Sequence, residues 1–164
     1  MQSLHRNLQV LFLAAFALFV LAACKTTPVI TPESYLDALM ADTGQDGEAC
    51  IDARDINDYR SLNTSSVVSI GTTPSTKEYI AVTRFRCNGL STSSKATFRS
   101  NKKELCGSGR DAFLVPQYRC TIEGIFEFEN RSAALAAWDR VNASLREDSD
   151  APAAQEGAIA STMP

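Results

Sequence analysis

The motif LAAC at residues 21–24 contains the cysteine whose thiol is most clearly suited to a chemical modification. A cysteine that follows small residues at the end of an apolar run is typical of a bacterial lipobox. The apolar run, residues 10–20, follows a short basic start and is too short to cross a bilayer, which needs about 20 residues. We expect residues 1–23 to be a lipoprotein signal peptide and the Cys24 thiol to carry diacylglycerol. An ordinary secretory signal with an incidental cysteine is the alternative.

Four more cysteines follow Cys24, and an even number in a small exported chain is typical of two disulfides. They are Cys50, Cys87, Cys106 and Cys120. Zinc is the alternative, but their spacing contains no C-x-x-C pair, so we expect neither a metal nor any other cofactor. Sequence alone allows three pairings. Because the first and last strands of a small barrel are commonly neighbours, we favour Cys50–Cys120 and Cys87–Cys106.

A charge asymmetry predicts a second candidate site. Residues 33–60 hold eight acidic and two basic residues, whereas residues 77–119 hold nine basic and three acidic ones. If the basic side chains converge, they form a cationic patch for anionic lipid headgroups or an acidic envelope protein. Its predicted members are Arg84, Arg86, Lys95, Arg99, Lys102 and Lys103. Neutralisation of the acidic segment by the basic one is the alternative.

Composition argues against several classes of function. The chain has 16 Lys+Arg, 19 Asp+Glu and a net charge of −3, which gives no reason to expect nucleic-acid binding. Its one histidine precedes the predicted cleavage point, so the commonest general base is missing from the mature protein. We therefore do not expect this protein to be an enzyme. The alternatives are an envelope enzyme that uses carboxylates or a metal, and an inhibitor or chaperone-like subunit of a partner protein.

The elements that would position these residues are mostly strands. Alternating apolar and polar residues predict half-buried antiparallel strands. We expect a mainly β fold, a small antiparallel barrel or sandwich of about six strands with a short N-terminal helix, a C-terminal helix and two disulfides. The predicted strands are Ile56–Leu62, Val67–Ile70, Tyr79–Cys87, Lys95–Arg99, Asp111–Val115 and Tyr118–Glu129, apart from a first one that begins at Cys50.

Capping residues predict where the two helices begin. Thr31 and Pro32 are typical of a helix start, and Asn130 can cap a second helix that carries Trp138 on its packing face. The predicted order is a lipidated tether over residues 24–31, a single domain over 32–146 and a disordered acidic tail over 147–164.

The cysteines and apolar strand positions over residues 48–129 resemble a family of small proteobacterial lipoproteins with a four-cysteine domain of unknown function. The shared pattern is Cys50-Ile51, Ile56, Tyr59, Tyr79-Ile80-Ala81, Cys87-x-x-Leu90, Leu105-Cys106-Gly107, Asp111 and Cys120-x-Ile122. The resemblance implies export and disulfides but no activity. Lys25 after the lipidated cysteine resembles lipoproteins sorted to the outer membrane. We expect a periplasm-facing binding or structural accessory of the cell envelope, held in the membrane by its lipid anchor.

Overall fold

A computed structural model of the chain describes residues 29–62, 64–93, 97–100 and 103–150. The predicted signal peptide, Cys24 and the tail beyond residue 150 lie outside the described residues. The helices are α1 (Pro32–Thr43), α2 (Asn88–Thr92) and α3 (Arg131–Asp150). The strands are β1 (Cys50–Asp52), β2 (Ile56–Ser61), β3 (Val67–Thr72), β4 (Glu78–Thr83), β5 (Thr97–Arg99), β6 (Glu104–Cys106), β7 (Ala112–Val115) and β8 (Tyr118–Phe128).

The strands form two antiparallel sheets, which confirms the predicted mainly β fold. Six of them make a curled sheet in the order β2-β3-β4-β8-β7-β5, and β1 pairs with β6 in a separate two-stranded ribbon. Helices α1 and α3 pack on one face of the large sheet. The ribbon and α2 pack on the other face. The large sheet therefore has an apolar layer on each side.

The neighbouring strands β3 and β4 are buried along their whole length. Val67, Ile80 and Val82 face the helices, whereas Val68 and Ala81 face the ribbon. Alternation predicted one solvated face for each strand. The difference arises because the ribbon and the helices each cover one face of the sheet, so the side chains on both faces leave water.

Both predicted helix starts are confirmed. Ser34 N donates to Thr31 Oγ1 at 3.2 Å and Thr31 N donates to Ser34 Oγ at 3.3 Å, a reciprocal cap that satisfies free backbone donors. Ala133 N donates to Asn130 Oδ1 at 3.0 Å at the start of α3. Trp138 is buried on the packing face, as predicted. Helix α3 ends at Asp150, so residues 147–150 are helical where the sequence placed the start of the tail.

The predicted disulfide pairing is wrong. Cys50 bonds Cys106 and Cys87 bonds Cys120. The prediction assumed that the first strand neighbours the last one in a single sheet. Instead β1 leaves that sheet for the ribbon, where Cys50 lies directly opposite Cys106 with their Cα atoms 4.2 Å apart. Strand β4 neighbours β8, so the segment that follows β4 brings Cys87 to Cys120.

Strand β4 also ends earlier than predicted. Its last residue is Thr83, and residues 84–87 leave the sheet before the short helix α2, which the sequence did not predict. No helix among the described residues is both long and apolar enough to cross a membrane.

Candidate functional site

The described members of the predicted cationic patch have different partners. Arg84 Nε donates to Glu123 Oε2 at 2.6 Å. Arg86 Nη2 donates to the Ile30 carbonyl oxygen at 2.8 Å. Lys95 and Lys102 lie outside the described residues, as does the predicted lipidation site Cys24.

Sheet register shows how far the other cations are from these two. Arg99 pairs with Ala112, Ala112 pairs with Thr121, and Arg84 N donates to the Thr121 carbonyl oxygen at 2.9 Å, so Arg99 and Arg84 stand at the two ends of one row. Lys103 instead accepts a backbone hydrogen bond from Ala53 at the end of the ribbon. The structure thus brings Arg84 and Arg86 together and leaves Lys103 with the ribbon, on the opposite side of the sheet from the helices.

Neutralisation between the acidic and basic segments has little direct support. In the described part of the chain, no ion pair joins an acid of residues 33–60 to a base of residues 77–119. The pairs are Arg54–Asp52, Arg60–Asp58, Lys77–Glu127, Arg84–Glu123 and Arg140–Asp42. Three acids of residues 33–60 are therefore paired within the described residues, Asp52 and Asp58 with arginines of the same segment and Asp42 with Arg140 of α3. The hydrogen bonds of Arg54 lower the pKa of Asp52, and the charge of Lys103, from the basic segment, makes a smaller contribution in the same direction.

A candidate site lies where the chain enters the domain, and we call it the Phe85 surface: Val29, Ile30, Arg84, Phe85 and Arg86. Two of its apolar side chains are open to solvent, Val29 at 69% and Phe85 at 72% exposure. Phenylalanine is more often buried than exposed in folded proteins, and Phe85 has the highest exposed fraction among the large apolar side chains that the structure describes as exposed.

A cavity of about 320 Å³ opens beside Phe85. The cavity lies between the start of α1 and the end of β4. Its lining residues are Pro32, Glu33, Leu36, Thr83, Arg84, Phe85 and Glu123. Leu36 and Phe85 supply an apolar wall, and the Arg84–Glu123 ion pair supplies a polar one, which is a mixture suited to an amphipathic ligand or surface.

Two cations lie near Tyr35 on the same side of the domain. Burial raises the pKa of Tyr35, and the charges of Arg146 and Arg86 partly oppose that rise. Because both guanidinium groups act on one phenol, Arg146 at the end of α3 and Arg86 lie near the same part of α1. Both positive charges therefore lie within electrostatic range of the Tyr35 hydroxyl group.

Sequence reasoning did not single out Phe85. It lies in the predicted strand Tyr79–Cys87, but β4 ends two residues before it. Arginines on both sides of an aromatic residue, Arg84 and Arg86, are the signal that could have found this surface.

A second polar cluster surrounds Glu127. Lys77 Nζ donates to Glu127 Oε1 at 2.5 Å and Tyr79 Oη donates to Glu127 Oε2 at 3.0 Å. The Lys77 hydrogen bond lowers the pKa of Glu127. Burial, with a contribution from Glu127, raises the pKa of Tyr79 to about 12. Gln45 meanwhile donates to and accepts from the Glu127 backbone, so this cluster fastens the loop after α1 to β8.

Metal binding has one geometric candidate among the described residues. Cys50, Glu104 and Cys106 place their ligand atoms within 4.8 Å of one another. Since the two sulfurs are bonded to each other, neither is a thiolate that could bind a metal.

Comparison with models of protein families shows a match over most of the chain. A model described as a family of unknown function, DUF6491, matches residues 7–144. No curated protein and no solved structure matches the chain.

Proposed function

Because the chain belongs to DUF6491, a family of unknown function whose model spans most of its length, we propose that it is a lipid-anchored binding or structural accessory of the bacterial cell envelope. The proposal has no enzymatic component. It places the domain on the periplasmic side of the outer membrane, where its partners are anionic lipid headgroups or an acidic envelope protein.

The main support for the proposal is the short distance along the chain from Cys24 to the folded domain. The lipobox cysteine precedes Val29, the first described residue, by five positions, and α1 begins at Pro32. A diacylglyceryl group on Cys24 would thus hold the domain close to the membrane. Burial of each acyl CH₂ contributes about 0.8 kcal/mol, so two or more chains make a stable anchor. The family match also begins at residue 7 and therefore includes the apolar segment and Cys24.

The two disulfides support export. Such bonds persist in oxidising compartments and are rare in the cytosol. Each closes a long loop, with sequence separations of 56 and 33 residues, and in a domain of this size such bonds contribute much of the stability.

Two carboxyls that form ion pairs, Glu127 and Asp42, have pKa values that do not suit a general acid. A carboxyl that acts as a general acid near neutral pH needs a raised pKa. Lys77 instead lowers the pKa of Glu127, and Arg140 lowers the pKa of Asp42. The exposed Phe85 and its neighbouring arginines are suited to contact rather than to proton transfer.

Replacement of the predicted lipidation site tests the proposal. We expect wild-type protein, expressed in bacteria fed a labelled palmitate, to carry the label and to sediment with membranes. C24S should carry no label. Thr27→Ser, three residues later and outside the motif, is the matched control and should be labelled like the wild type. Label on C24S at the wild-type level would contradict the anchor.

Membrane sorting is tested by a second change beside the same cysteine. Lys25→Asp should keep the label but move the protein from the outer to the inner membrane fraction in a density gradient. If wild-type protein already sediments with the inner membrane, the outer-membrane part of the proposal is wrong while the anchor stands.

A further inference from the structure

We propose that the Phe85 surface rests on the lipid bilayer and that Phe85 inserts its ring into the headgroup region. This inference rests on the proposed lipid anchor and adds which face of the domain meets the membrane. Its partner is the bilayer itself, with an anionic headgroup layer over an apolar interior.

The length of chain between the lipid anchor and the domain limits which face of the domain can contact the bilayer. Five residues lie between Cys24 and Ile30, so six residue steps join them, and a fully extended chain spans at most 3.3–3.6 Å per step. The Cα atom of Ile30 therefore lies within about 22 Å of the Cα atom of the lipidated cysteine. Arg86 donates to the Ile30 carbonyl oxygen, which places Phe85 beside this tethered point.

The position of Phe85 is fixed by the backbone on both sides. Arg84 N donates to the Thr121 carbonyl oxygen at 2.9 Å, and Thr83 Oγ1 donates to the Phe85 carbonyl oxygen at 2.7 Å. Two residues later Cys87 is bonded to Cys120. The exposed ring is thus part of a braced turn, so its 72% exposure is a property of the fold.

The chemistry of the surface matches a membrane interface. Phe85 and Val29 are apolar and open to solvent, and aromatic and aliphatic side chains of this kind are buried when a protein lies on a bilayer. Arg86 and Arg146 supply positive charge near the start of α1. Of the two acids that line the cavity, Glu123 is neutralised by Arg84, and Glu33 has no ion pair within the part of the chain that the structure describes. The remaining cations complement anionic headgroups.

A tryptophan placed at position 85 reports the contact. The full-length lipidated protein is reconstituted in vesicles of phosphatidylethanolamine and phosphatidylglycerol with brominated acyl chains, which quench nearby indole fluorescence. The variants are Phe85→Trp, Val29→Trp and the control Thr76→Trp. Thr76 is exposed in the turn at the opposite end of β4, and the buried Trp138 gives the same background in every protein.

We expect emission from positions 85 and 29 to be quenched and shifted to the blue, while position 76 shows no loss beyond the Trp138 background. Equal quenching at all three positions, or none at position 85, overturns the inference if the proteins still float with the vesicles. Protection of position 85 from both brominated lipid and a water-soluble quencher also overturns it, because a second copy or another protein would then cover the ring. Failure to float would refute the anchor as well.

Discussion

The ring centroids of Tyr35 on α1 and Trp138 on α3 lie 5.2 Å apart, and the two ring planes are tilted by 35°. Both side chains are buried, and they pack with Ile80 and Phe126 on the helix-covered face of the large sheet. This contact joins the first and last helices of the domain to each other and to its two central strands.

Trp138→Ala should lower the free energy of unfolding by about 3–5 kcal/mol, because the change leaves a cavity and removes the ring contact with Tyr35. Trp138→Phe keeps an aromatic ring at this position and should cost less. Urea unfolding followed by far-ultraviolet circular dichroism measures both. A loss for Trp138→Ala as small as that for the phenylalanine variant would show that the ring contributes little to packing.

Peptide mapping under non-reducing conditions should recover Cys50 linked to Cys106 and Cys87 linked to Cys120. The protein should be purified from the envelope without thiols, so that its native bonds are retained. Recovery of Cys50 linked to Cys120 would contradict the ribbon pairing of β1 with β6.

The two disulfides should differ in their rate of reduction. Cys50 is exposed, whereas Cys87 and Cys120 are 5% and 3% exposed, so a mild phosphine reaches the Cys50–Cys106 bond first. Brief reduction followed by alkylation and mass spectrometry should label Cys50 and Cys106 before the other pair. Simultaneous labelling of all four would indicate that reduction requires global unfolding.

Local sequence signals predicted most of the elements but not their long-range arrangement. The caps at Thr31 and Asn130 and the alternation over Tyr118–Phe128 depend on neighbouring residues, and each was correctly predicted. The ribbon depends on Cys50 meeting Cys106, 56 residues away, and no local period encodes that choice. Phe85 was missed for a related reason, since the end of β4 depends on its bulged pairing with β8.

Gly107 lies where the chain leaves the ribbon and touches two backbone segments. A Cβ there would collide with the Gly47 carbonyl oxygen and the Ile125 amide nitrogen, which hydrogen-bond each other at 2.7 Å. Gly107→Ala should therefore lower the free energy of unfolding by more than about 3 kcal/mol.

Gly44→Ala is the matched control for Gly107→Ala. Gly44 has a φ of 68° and nothing within 4 Å of the added Cβ, so only backbone strain of about 1 kcal/mol is expected. Chemical denaturation compares the two variants. Equal losses would show that the close approach at Gly107 relaxes without cost.

Tyr79 should make stability fall at alkaline pH. Its pKa is about 12 in the folded protein, against about 10 for an unperturbed tyrosine. The unfolded chain therefore loses this proton first, and the stabilising contribution, complete below pH 10, is lost as the pH rises towards 12. Over that interval Tyr79→Phe should lose less stability than the wild type. Urea midpoints at a series of pH values measure this, and parallel curves for the two proteins would contradict it.

The intact mass and the amino-terminal peptide mass of protein extracted from bacterial membranes show whether Cys24 is the lipidated first residue. We expect a chain that begins at Cys24, with a diacylglyceryl thioether on its sulfur and no residue of the 1–23 segment. An unmodified Cys24, whether in an uncleaved chain or at a free amino terminus, would contradict it.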